Sequence, residues 1–109
     1  MIVSENNITD ALAYLAIDPH PLALARKDVV DAENIAKEIF ASQFLKAQGT
    51  VKERESEAEC STLYITAKAD ESGAILELER HRARSRAAEM LIEVWRSENA
   101  NARAAERVR

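Results

Sequence analysis

Helix breakers are almost missing from this chain, and that limits its folding options more than any other feature. Its 109 residues include two glycines, two prolines and twenty alanines. Glu, Arg, Lys, Leu and Ile dominate the rest. Such residues lose little on entering a helix, so long stretches can continue helical and few positions can stop them. The expected fold class is all-α. Five aromatics are present, Tyr14, Phe40, Phe44, Tyr64 and Trp95. A core of alanine and aliphatics favours close helix–helix approach over a thick interior.

The few breaks place the elements. Asp18-Pro19-His20-Pro21 interrupts any helix, and Pro21 suits the first turn of a new one. Before this break, Thr9-Asp10 can cap a short helix through Ile17, with Leu12, Leu15 and Ala16 on one side. His20 reads as a polar cap at the next helix entry. A long helix over 21–48 follows, marked by Val29, Ala32, Ala36, Ile39, Phe40 and Phe44 at three- and four-residue steps. Gly49 stops it.

Thr50-Val51-Lys52-Glu53 is a capping box, so a second helix is expected to about Ala69. Ser72-Gly73 either caps a third helix or is passed through, since one glycine costs only about 1 kcal/mol against alanine. From Ala74 the pattern is stronger. Leu76, Ala83, Ala87, Met90, Leu91 and Val94 form one stripe that ends near Trp95.

A single helical domain over 1–109 is expected: a short helix and turn in 1–20, a long helix in 21–48, and a returning helix or pair in 50–107. This is an antiparallel helical hairpin. Two arms leave apolar surface uncovered, which predicts a homo-oligomeric bundle. The packing or oligomer surface would use Val29, Ala36, Ile39, Phe40 and Phe44 on the first arm. On the second it would use Leu76, Ala83, Ala87, Met90 and Val94, with Trp95 as an anchor.

Charge divides the chain. From Arg80 to Arg109 there are eight arginines, no lysines and four acids, against seven cations and fifteen acids before them. A row of guanidinium groups can track a phosphate backbone. The candidate nucleic-acid contacts are Arg80, Arg82, Arg84, Arg86, Arg103 and Arg107. Glu89 and Glu93 interrupt the row, and pairing with Arg86 and Arg96 at three-residue spacing would neutralise its middle. The basic ends, Arg80–Arg86 and Arg103–Arg109, are then where an anion would bind. Only Tyr64 and Trp95 lie near enough in sequence to offer stacking platforms.

Other chemistries find little support. Glu53, Glu55, Glu57 and Glu59 alternate, which spreads their charges around a helix rather than pairing them. His20 and His81 lack partners at zinc-binding spacing, and Cys60 is the only cysteine. No glycine-rich loop or clustered triad is present. No enzymatic activity, metal, cofactor or small-molecule substrate is expected. No apolar run is long enough to span a bilayer, and no basic leader precedes Glu5, so a cytoplasmic location is expected.

Two segments carry a resemblance. Phe44 to Glu55 reads FLKAQGTVKERE, and Ala87 to Arg96 reads AAEMLIEVWR, followed by Ser97. A long helix, this Gly-Thr-Val-Lys-Glu-Arg break and a returning helix ending in Trp-Arg-Ser resemble small helical phage and prophage proteins. The plan is similar to the UvsY-type recombination mediators over about residues 24–103. The resemblance implies a helical oligomer in the bacterial host cytoplasm that helps load a recombinase or annealing protein on single-stranded DNA. Arg80–Arg86 is the nearest counterpart of a DNA-binding segment, although the chain as a whole is acidic. The expected function is a non-enzymatic accessory protein that binds single-stranded DNA or a recombination protein. The alternative is a scaffold, adaptor or inhibitor of a host factor with no nucleic-acid binding.

Overall fold

A computed structural model of the chain describes residues 3–108. Arg109, the last arginine of the basic C-terminal end, lies outside them. Among the described residues the fold is all-helical, without strands. Four helices follow one another: α1 (Glu5–Leu15), α2 (Pro21–Lys46), α3 (Val51–Glu59) and α4 (Thr62–Val108). The chain divides into two compact units, Met1–Leu22 with Arg80–Arg109, and Ala23–Glu79.

Helix α1 starts earlier than expected. Ser4 is its N-cap and accepts from the Asn7 backbone N–H at 3.2 Å. Val3 and Ile8, on either side of that cap, are both buried in one cluster, the arrangement of a hydrophobic staple. Thr9 is therefore inside the helix, its hydroxyl donating to the Glu5 carbonyl. The helix ends at Leu15 rather than Ile17. Its buried face is Ile8, Ala11 and Tyr14, whereas Leu12 is exposed.

At the entry of α2, His20 Nδ1 accepts from the Leu22 N–H at 3.0 Å, so an imidazole does the work usually done by Ser or Asp. Pro21 occupies the first helical position, where a missing N–H costs nothing. The helix stops at Lys46, slightly before the expected Gln48. Gly49 has φ +115°, and a Cβ there would collide with the Glu53 carboxylate. Thr50 caps α3 by accepting from the Glu53 N–H at 3.2 Å.

The second helical stretch does not run to Ala69. It breaks at Cys60-Ser61. Ser61 donates its hydroxyl to the Ala58 carbonyl at 2.7 Å and accepts from the Tyr64 N–H at 3.2 Å. One side chain thus closes α3 and opens α4. Gly73, by contrast, is passed through. It sits inside α4, which continues for 47 residues.

Most buried and half-buried positions of α4 alternate three and four apart: Tyr64, Ala67, Glu71, Ala74, Leu78, His81, Ser85, Ala88, Ile92 and Trp95; Leu91, Glu98 and Asn99 are half-buried besides. This is a 3.5-residue seam of coiled-coil type. In the first unit, α1 lies on the later part of that seam. Tyr14 approaches Ser85, and Val3, Ile8 and Ala11 cluster with Ala88 and Ile92, with Trp95 packed alongside. In the second unit, the Phe40 ring of α2 meets Tyr64 edge-on at 5.4 Å and neighbours Phe44 at 6.5 Å. The Arg54 guanidinium of α3 lies 5.9 Å from the Phe44 ring centre. No large side chain is fully buried among the described residues, while thirteen large hydrophobics are exposed.

Candidate functional site

The most organised polar cluster surrounds Tyr14, which is 4% exposed. Its hydroxyl lies 3.4 Å from the Ser85 hydroxyl and 3.5 Å from His81 Nδ1. The His20 ring meets the Tyr14 ring edge-on at 4.9 Å, and the Arg84 guanidinium covers it at 4.1 Å. Both histidines of the chain therefore adjoin one tyrosine. These long, shared contacts hold the phenol in place. The cluster is a packing node. No local motif announces it, since Tyr14 and Ser85 are 71 residues apart in sequence.

The candidate DNA-contacting arginines fall into two groups. Arg84 is committed to Tyr14, and Arg80 and Arg82 are also engaged within the chain. Arg86, Arg96, Arg103 and Arg107 are exposed, with Arg103 Nε donating to the Asn99 carbonyl at 3.4 Å. The expected pairing of Glu89 and Glu93 with Arg86 and Arg96 does not form; no ion pair joins these four side chains. An exposed pair gains little Coulomb energy and costs rotamer freedom in two long side chains, so the middle of the arm stays open. Tyr64 packs on Phe40 and Trp95 on the Ile8–Ile92 cluster, so both rings serve packing.

The candidate packing residues also separate. Ala36 is buried, and Val29, Ile39, Phe40, Phe44 and Trp95 are half-buried. Leu76, Ala83, Ala87, Met90 and Val94 are exposed on α4, one side around from the buried seam. These five face outward in the single chain, whereas Leu91, expected on the same stripe, is half-buried against the Ile8–Ile92 cluster.

A shallow groove in the second unit is lined by Ala36, Phe40 and Tyr64 with Glu33, Lys68 and Glu71 at its rim. Lys68 donates to Glu71 at 2.9 Å; that bond, then the carboxylate charge, raises the Lys68 ammonium above its ordinary value. Among the described residues no group of three or more His, Cys, Asp or Glu side chains could hold a metal ion. Among the described residues no helix is long and apolar enough to cross a membrane.

No family model matches the chain, and neither a curated protein nor a solved structure matches it.

Proposed function

We propose that this chain is a non-enzymatic helical interaction module, a scaffold or adaptor that works by docking other helices on its exposed faces. One observation carries the reading: large hydrophobics are abundant on the helix surfaces and absent from any fully buried position. Leu76 is 62% exposed and Met90 59% exposed on one side of α4. Apolar surface of this kind is stabilised by a second protein surface. The assembly we infer is an antiparallel hairpin with α2 and α4 as its arms, joined in an oligomeric bundle. The Phe40–Tyr64 contact supports the hairpin, and the outward stripe supports the oligomer.

The test is capture from nuclease-treated bacterial lysate with the wild-type chain and with Leu76→Glu/Met90→Glu. A protein partner held by the wild type and lost by the variant is the expected result. Equal retention by both contradicts the reading.

A second reading is an accessory role in recombination on single-stranded DNA, supported by the exposed Arg86, Arg96, Arg103 and Arg107. It predicts binding of a labelled oligonucleotide that weakens steeply as salt rises. Flat anisotropy at low salt rejects it.

A further inference from the structure

The outward face of α4 has a regular spacing of its own. Ala69, Leu76, Ala83, Ala87, Met90 and Val94 lie on it, all exposed. They fit a second 3.5-residue repeat, in which Gly73 and Arg80 fill the remaining seam positions. The residues bordering it divide by charge. On one border stand Glu77 and Arg84, and on the other Glu79 and Arg86. Acid precedes base by seven residues on both sides.

We propose that the occupant of this face is a second copy of α4, running antiparallel. The proposal rests on the interaction-module reading and names its partner and register. The alignment sets Leu76 against Ala87 of the second copy, Gly73 against Met90, and Ala69 against Val94. Each layer combines a large side chain with a small one, which is how facing helices interdigitate. Nothing lies within 4 Å of where a Gly73 Cβ would be, so the Met90 side chain of the second copy has room there. Arg80 faces Ala83 of the second copy, where its aliphatic stem can lie along the methyl group.

Charge selects this register. Beyond the contacts that both acids already make within their own chain, Glu77 meets Arg84 of the second copy and Glu79 meets Arg86, and two-fold symmetry doubles both pairs. No like charges border the seam opposite one another. A shift of one heptad one way sets Glu77 and Glu79 against themselves. A shift the other way does the same to Arg84 and Arg86. A parallel, in-register pair would stack Arg80 on Arg80 and bring Glu93 against Glu98.

The experiment uses two full-length variants, Glu77→Arg/Glu79→Arg and Arg84→Glu/Arg86→Glu. Each alone should dimerise about tenfold or more weakly than wild type by sedimentation velocity. Mixed together they should form a heterodimer, since every border pair is again complementary; this recovery also shows that neither variant is misfolded. Orientation is read with Leu76→Cys on one variant and Ala87→Cys on the other, both carrying Cys60→Ser. A 76–87 disulfide supports the antiparallel register. Failure to cross-link in a mixture that does dimerise overturns it. Self-association of the wild type that both reversals leave unchanged overturns the register while the interaction-module reading stands. A wild-type chain that stays monomeric overturns the inference whatever other proteins it captures.

Discussion

The guanidinium of Arg84 lies over the ring of Tyr14, 4.1 Å from its centre, and joins the only tyrosine of α1 to the later part of α4. On its other sides the same ring meets His20, and its hydroxyl approaches Ser85 and His81. The short helix is held mainly by this residue and the Ile8–Ile92 cluster. Truncating Tyr14 to Ala should therefore cost about 3–5 kcal/mol, as for other buried aromatics. Tyr14→Phe should cost about 1 kcal/mol, because Ser85 loses a buried hydrogen-bonding neighbour. Urea titrations of the two variants measure both. Equal stability for Tyr14→Ala and wild type would show that α1 is not docked.

His20 opens α2 through an acceptor nitrogen, and nothing else reaches the Leu22 N–H. His20→Ala should cost about 1 kcal/mol, the usual loss for a helix cap. His20→Asn, which keeps an acceptor at similar reach, should recover most of it. Thermal melts followed by far-UV circular dichroism compare the two. A difference near zero would mean that the cap contributes nothing.

The two glycines should respond oppositely. Gly73 is helical with open space around its Cβ position, so Gly73→Ala should stabilise the chain by about 0.5–1 kcal/mol. Gly49 has φ +115°, and a Cβ would meet the Glu53 carboxylate, so Gly49→Ala should destabilise it by more than that. Chemical denaturation reads both signs.

Lys68 titrates above its ordinary value because it donates to Glu71 and feels the carboxylate charge. For a raised cation, the stabilising contribution is fully present below the ordinary value and fades as pH rises through the raised one. NMR titration of the Lys68 side chain in alkaline solution should show this, and Glu71→Gln should bring the midpoint down. An unchanged midpoint would mean that the pair does not persist in solution.

Much of the fold is legible in the sequence because its punctuation is sparse and strong. Pro21, Gly49 and the Thr50 cap on the Glu53 N–H act where their chemistry indicates, while the return bond from the Glu53 carboxylate does not form. The misplaced boundaries share one cause. Ser4 and Ser61 each cap a helix with a single hydroxyl, and neither stands in a motif that sets it apart from nearby Ser and Thr residues. The buried face of α4 was illegible for a different reason. Its seam includes Glu71, His81 and Ser85, so a search for apolar residues at helical spacing finds the outward stripe instead. Ser85 is 7% exposed only because Tyr14, distant in sequence, covers it.

Light scattering on the eluting wild-type chain at micromolar concentration tests most directly whether a second copy occupies the outward face of α4. The account predicts a species of twice the 12.1 kDa chain mass that reverts to single chains when Leu76 and Met90 become Glu. A single-chain mass for the wild type across that range would contradict it.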